Sequence, residues 1–114
     1  MQLVSPQEFE ELVADALDAL PPELARNLRN VAVVVEDEHP DDPDLLGLYE
    51  GVPLTERDVY SGVLPDRITV FRVPLCLMAE DLDDLVEEIQ VTVVHEFGHH
   101  MGLPEDRLHD LGRG

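Results

Sequence analysis

The sequence predicts an α+β domain in which a small three- or four-stranded mixed sheet packs on two helices. One is a backing helix, and the other contains the candidate functional residues. Residues 5–20 and 79–103 place apolar side chains at the 3.6-residue spacing of helices. Between them, residues 31–37 and 67–75 are rich in β-branched residues, which is typical of strands. A chain of 114 residues is expected to form a single domain, 1–114.

The first helix is predicted from its start and from its apolar face. Ser5 suits the N-cap, Pro6 suits the first helical position, and Glu8 completes a capping box. Apolar side chains at positions 9, 12, 13, 16, 17 and 20 form one face of this helix. Two prolines then end it, and residues 22–30 predict a further helical turn or two.

Three segments are predicted as strands. Residues 31–37 are almost continuously apolar, which suits a buried central strand. Residues 45–54 contain two glycines and a proline, which favours a short edge strand, and residues 67–75 alternate well enough for a third. The acid-rich segment 36–44 lacks the glycine and spacing of an EF-hand and is interpreted as a solvated loop, including His39. Residues 55–66 are predicted as another loop.

The charge balance is strongly acidic, with 26 acidic against 7 basic residues and a formal net charge of −19. Without a basic stripe, nucleic-acid binding is disfavoured, whereas a neutral or basic partner is easy to accommodate. The chain shows neither the pattern of a secretory signal nor an apolar run that could span a membrane. We therefore expect a cytoplasmic protein without membrane association, and the sequence leaves its oligomeric state open. Cys76 lies in an apolar run and is predicted to be a buried thiol.

Residues 95–99 form an H-E-x-x-H motif near the end of the last predicted helix. Residues four apart share one helix face, so His95 and His99 can bind the same ion, and imidazole nitrogens suit Zn²⁺. Glu96 lies about 100° further round the helix, where it can take a proton from a metal-bound water. His100 points away from His99 by the same angle and is not expected to be a ligand. The sequence therefore predicts one zinc ion per chain, with Glu96 as the general base.

Gly102 lies three residues after His99 and can end the helix, and Pro104 prevents its continuation. The resulting pattern H-E-x-x-H-x-x-G resembles the motif of the zincin metallopeptidases, more narrowly that of metzincin-like and aspzincin-like families. The short acidic chain, with two strands before the motif helix, is similar to a small bacterial zincin-like family. This resemblance implies a minimal zincin-like fold in which His95 and His99 bind zinc, Glu96 is the base and Gly102 makes the turn.

The resemblance also implies a third zinc ligand three residues beyond Gly102. The related families place His or Asp there, whereas this chain has Glu105, whose carboxylate is one methylene further from the backbone than that of Asp. We expect Glu105 to be the third ligand, with Asp106 or His109 as the alternatives.

Zincin peptidases bind their substrate as an added strand along a sheet edge. The candidate edge here consists of Gly47, Leu48, Tyr49, Glu50 and Gly51, whose glycines allow close approach of another backbone. Tyr49 is expected to be a packing residue rather than a catalytic one.

The leading hypothesis is a zinc-dependent metallopeptidase that hydrolyses peptide bonds in a neutral or basic peptide or protein. The alternative is a non-catalytic zincin-fold domain that binds metal or a protein partner. A metal-dependent endoribonuclease with the pattern H-G-x-x-H-x-x-G-x-D-H is disfavoured, because Glu96 replaces its glycine and the chain is so acidic.

Overall fold

The computed structural model of the chain describes residues 1–28, 31–51 and 66–101, without the side chains of Asn27 and of residues 99–101. Within these ranges the elements follow the order α-α-β-β-β-α-α, with the strands grouped together, so the structure confirms the α+β class. The elements are α1 (Pro6–Asp18), α2 (Pro22–Asn27), β1 (Val31–Glu36), β2 (Gly47–Glu50), β3 (Asp66–Phe71), α3 (Arg72–Met78) and α4 (Leu82–Met101).

Helix α1 begins as its sequence predicts. The Ser5 hydroxyl accepts a hydrogen bond from the backbone N–H of Glu8, at 3.1 Å, and Pro6 occupies the first helical position. The apolar face of α1 packs against α4 and β1. At this contact the Gln90 side-chain amide of α4 donates to the carbonyl of Ala16, at 3.0 Å. This helix is therefore the predicted backing helix of the domain.

The three strands form a mixed sheet in the order β1-β3-β2, with β1 parallel and β2 antiparallel to β3. The prediction that residues 31–37 form the central strand is wrong, because β3 lies between the other two strands. Four consecutive β3 residues, 68–71, are buried, whereas the apolar residues of β1 are only half-buried. Within the described part of the sheet, β2 pairs only with β3, as an edge strand should.

The segment predicted as a single strand over residues 67–75 instead contains a strand and a helix. Strand β3 ends at Phe71, and α3 begins at Arg72. Pro74 lies in the first turn of α3, where a helix does not use the N–H group that proline lacks. Cys76 is fully buried in α3, which confirms the prediction of a buried thiol. The loop predicted over residues 55–66 lies outside the described residues, except that Asp66 begins β3.

Helix α4 carries the metal motif, and its start is fixed by side chains. The Asp81 carboxylate accepts the N–H of Asp84, at 2.8 Å, and the Asp84 carboxylate accepts the N–H of Glu80, also at 2.8 Å. The helical spacing of apolar residues within 79–103 predicts an apolar stripe that includes Leu82, but Leu82 is exposed at the first position of the helix. The rest of the stripe holds α4 against β2, β3 and α1 through the buried side chains of Leu85, Ile89, Val93 and Phe97. None of the helices in the described residues is long and apolar enough to span a membrane.

Candidate metal centre and the adjoining groove

His95 and Glu96 lie at the side of α4 that borders the sheet edge. The backbone is helical from Leu82 to Met101, so positions 95 and 99 are one turn apart on one face, as a shared metal ion requires. The side chains of His95 and Glu96 are both half-buried. Of the predicted ligands, only His95 has a described side chain.

The side chain of His99 and the residues Gly102, Glu105, Asp106 and His109 lie outside the described residues. Within the described residues, no three His, Cys, Asp or Glu side chains lie close enough together to hold a metal ion. The identity of the third ligand therefore stays a prediction.

Strand β2 crosses α4 at very short range. A Cβ atom on Gly47 would lie 2.5 Å from Thr92 Cγ2 and 3.3 Å from Glu96 Cγ, both on α4. It would also lie 3.3 Å from the backbone oxygen of Thr69 in β3. Only a residue without a side chain fits here, so Gly47 allows the edge strand to approach the motif helix. The sequence predicted close approach of another backbone at this glycine; the atoms nearest to it are the side chains of α4.

The Glu96 carboxylate is hydrogen-bonded to the edge strand. Its Oε1 accepts the backbone N–H of Tyr49 at 3.0 Å. The N–H of Phe71 donates to the carbonyl of Leu46 at 3.0 Å, so these two residues form a hydrogen-bonded pair of the antiparallel ladder. Such pairs alternate with pairs that are not hydrogen-bonded, so the backbone N–H and C=O groups of Gly47 and Tyr49 point away from β3. The base predicted from the motif is therefore oriented by an outward-facing N–H of the strand that was predicted to bind substrate.

The side chain of Tyr49 lies along β2 rather than over the motif. A Cβ atom on Gly51 would collide with the Tyr49 hydroxyl and would lie 2.9 Å from the Asp66 carboxylate. Glu50, the next residue after Tyr49, forms a 2.7 Å ion pair with Arg67 of β3. The hydrogen bond from Arg67 to Glu50, reinforced by the Glu50 charge, raises the pKa of Arg67 above its usual value. These contacts fix the end of the edge strand and support a packing function for Tyr49.

A groove of about 460 Å³ begins at His95 and Glu96 and follows α4 toward its N-terminus. This volume lies within the usual range of ligand pockets, roughly 300–1,000 Å³. One side is the face of α4 that contains Glu88 and Thr92, and the other is formed by Asp42 and residues 44–47, with Met78 of α3. Apolar and acidic side chains share its surface.

Residues 37–44 form a largely exposed loop, as the sequence predicts, whereas Glu36 still belongs to β1. Asp37 forms an ion pair with Arg72 at 3.0 Å, and its carbonyl accepts the N–H of Val73 at 3.0 Å. His39 is only partly solvated, because its half-buried ring packs edge-on against Phe71, with centroids 5.9 Å apart. The Asp42 carboxylate accepts the N–H of Asp44 at 3.1 Å. The loop is thus anchored on the sheet, and its last acidic residues line the groove.

An α+β domain with H-E-x-x-H on a helix against a sheet edge defines a zincin-like protein. A family model described as a zincin-like metallopeptidase matches residues 28–114, and the chain therefore belongs to that family. The match covers all three strands, α3, α4 and the whole motif. Family membership implies zinc binding and possible peptidase chemistry in general terms.

The fold is also similar to that of a solved structure described as a conserved hypothetical protein from "Thermo thermophilus". The TM-score is 0.55 and the sequence identity is 24%, over 86% of this chain and 94% of the other. At that identity the likeness supports the fold alone. A comparison with curated proteins found no match.

Proposed function

We propose that the protein is a zinc-dependent metallopeptidase in which Glu96 is the general base. The observation that carries the proposal is the placement of the Glu96 carboxylate on the motif helix, against the outward-facing N–H of Tyr49. A base must lie within hydrogen-bond reach of the proton it removes, and a substrate paired with a sheet edge lies next to that edge. This contact supports Glu96 as the base, because its carboxylate lies beside the sheet edge at which a paired peptide would be held.

The donors on α4 fit a zinc ion. His95 supplies an imidazole, the usual nitrogen ligand of zinc, and position 99 presents a second histidine one turn further along the same helix face. We propose that Glu105 completes the site, with Asp106 and His109 as the alternatives. Bound zinc would supply Lewis-acid activation of a peptide carbonyl.

The described residues orient the reactants and handle the proton. The carboxylate of Glu96 accepts the proton of the attacking water, and the Tyr49 N–H holds that carboxylate in one orientation. Gly47 keeps β2 close enough to α4 for this contact. The groove beside His95 accommodates substrate side chains.

The proposal is tested by assaying zinc content and then cleavage of unstructured peptides by the zinc-loaded protein. Replacing Glu96 by Gln should lower kcat at least about 100-fold, the usual contribution of a general base, while zinc remains bound. Glu11→Gln removes one exposed acid from α1 and should leave kcat and the zinc content unchanged. A folded protein that binds no zinc, or that binds zinc and cleaves none of the peptides, would contradict the proposal.

The second candidate is a non-catalytic zincin-fold domain. It is favoured by the hydrogen bond between Glu96 and the Tyr49 N–H, because that contact alone would explain the presence of Glu96 as a structural residue. In such a domain Glu96 would link α4 to β2 and the metal would only stabilise the fold. Chelation would then lower the temperature of unfolding, and Glu96→Gln would change neither zinc content nor any measured activity. Catalysis abolished by Glu96→Gln rules this candidate out.

A further inference from the structure

The groove extends well beyond the metal motif along one face of α4. Glu88, Thr92 and His95 all line it, and they succeed one another at spacings of four and three residues. At 1.5 Å per residue, Glu88 lies about 10 Å from His95 along the helix axis. An extended peptide advances about 3.3–3.6 Å per residue. A substrate with its scissile carbonyl near His95 would therefore present a side chain to Glu88 within about three residues.

The groove combines apolar walls with several carboxylates. Leu45, Leu46 and Val91 supply apolar surface, and three acids outside the motif also line it: Asp42, Asp44 and Glu88. Glu88 is only 9% exposed, whereas the two aspartates are exposed to solvent. No arginine belongs to the described lining, and the chain contains no lysine at all. The described lining of the groove therefore contains acidic side chains and no arginine or lysine.

Among the described residues, the acids of the groove do not form a compact metal site. Within the described residues, no three acidic or other metal-binding side chains come close enough to share one ion. Arginine and lysine side chains have a long apolar stem and a charged head, so apolar walls can cover the stem while a carboxylate binds the head. The net charge of −19 further favours the approach of a cation.

We propose that this groove is a specificity site for an arginine or lysine side chain of the peptide substrate, with Glu88 and Asp44 binding the cationic head. The proposal rests on the proposed peptidase function for the identity of its substrate. It narrows that substrate to peptides with a basic residue within about three residues of the bond to be cleaved.

Binding and cleavage test the two proposals separately. The probes are an alanine-rich hexapeptide with a single arginine and the same peptide with citrulline, the neutral isostere of arginine. Their dissociation constants are measured by calorimetry on the zinc-supplemented Glu96→Gln protein, so that turnover does not interfere. We expect the arginine peptide to bind at least about tenfold more tightly, which corresponds to about 1.4 kcal/mol.

Variants of the groove identify the side chains responsible. Glu88→Gln and Asp44→Asn, each added to the Glu96→Gln protein, should bring the two dissociation constants close together. Asp44 is exposed, so its replacement tests the site even if Glu88→Gln disturbs folding. Glu11→Gln changes the net charge equally but lies on α1, and it should retain the tenfold preference.

The outcomes distinguish the two proposals. Equal binding of the two peptides, or a preference that Glu88→Gln and Asp44→Asn both leave intact, overturns the specificity site. Equal kcat/KM for both peptides with the wild-type protein also overturns it, while supporting the peptidase function. A preference for arginine in binding without any cleavage supports the specificity site and overturns the peptidase function.

Discussion

Glu96 on the motif helix and Tyr49 on the edge strand are joined by a 3.0 Å hydrogen bond from the Tyr49 backbone N–H to the Glu96 carboxylate. The two residues are 47 positions apart in the chain. One belongs to the helix that carries the metal motif, and the other to the strand predicted to bind substrate. The orientation of the proposed base therefore depends on how closely β2 approaches α4.

Gly47→Ala is expected to lower the free energy of unfolding by about 1–3 kcal/mol, the usual cost of inserting a group into a packed interface. The added Cβ would lie 2.5 Å from Thr92 Cγ2, so β2 or α4 must move. Urea unfolding measures the change. Movement of β2 should also weaken the hydrogen bond between Tyr49 and Glu96.

A double-mutant cycle with Thr92→Ser identifies the clash. Serine lacks the Cγ2 methyl group, so Gly47→Ala should cost at least about 0.5 kcal/mol less in the Thr92→Ser background than in the wild type. The relief is expected to be partial, because Glu96 Cγ and the Thr69 carbonyl oxygen, each 3.3 Å from the added Cβ, remain in place. Additive effects of the two substitutions would show that the clash lies elsewhere.

Replacing Glu96 by Ala and by Gln is expected to have different effects on the amide of Tyr49. Alanine removes the acceptor, so hydrogen exchange at Tyr49 should be faster by about fivefold, which corresponds to a hydrogen bond of about 1 kcal/mol. Glutamine keeps an acceptor oxygen and should largely preserve the protection. The amide of Leu48, which faces β3, serves as the internal reference. Equal exchange at Tyr49 in both variants would contradict this assignment.

Local features of the fold were predictable because they depend on neighbouring residues. The Ser5 cap, the apolar face of α1 and the helix that carries His95 all follow from spacings of three or four residues. The strand order was not predictable, because the apolar run of β1 suits a strand at either position of the sheet. Helix α3 was missed because a short apolar run is compatible with both a strand and a helix.

In the candidate site, too, the local features were predictable from the sequence and the long-range contacts were not. His95 and Glu96 follow from the motif alone, whereas the hydrogen bond to Tyr49 depends on the register of β2 against α4, which the motif does not contain. Asp44 was assigned to a solvated loop, although it lines the groove. Its position depends on contacts of that loop with β3 and α3, which join residues more than thirty positions apart.

Asp81→Ala is expected to destabilise the protein by about 0.5–2 kcal/mol, because it removes the N-cap of α4. The lost contact is the 2.8 Å hydrogen bond between the Asp84 N–H and the Asp81 carboxylate. Asp83→Ala is the matched control, since Asp83 is an exposed acid in the same first turn. It should cost only a few tenths of a kcal/mol through the helix dipole. Equal losses in chemical denaturation would argue against specific capping by Asp81.

Arg72→Gln is expected to destabilise the protein by about 1–3 kcal/mol, because Arg72 makes two charge-assisted hydrogen bonds. Its guanidinium donates to the Asp37 carboxylate at 3.0 Å and to the Val4 carbonyl at 2.6 Å. Only 12% of the Arg72 side chain is exposed, but 66% of the Asp37 side chain is, so solvent screens the ion pair and the partly buried contact with the Val4 carbonyl contributes most of this loss. The anchored loop continues to Asp44, so its release should also loosen the wall of the groove.

Arg67→Gln is the matched control for Arg72→Gln, since it removes the same charge from a 2.7 Å ion pair with Glu50. Half of the Arg67 side chain is exposed, and exposed pairs contribute little to stability, so the free energy of unfolding should hardly change. Amide exchange at Val73, whose N–H donates to the Asp37 carbonyl at 3.0 Å, should be faster in Arg72→Gln and unchanged in Arg67→Gln. If the two variants were equally stable and exchanged alike at Val73, Arg72 would not anchor the loop, and the groove wall would depend on its other contacts.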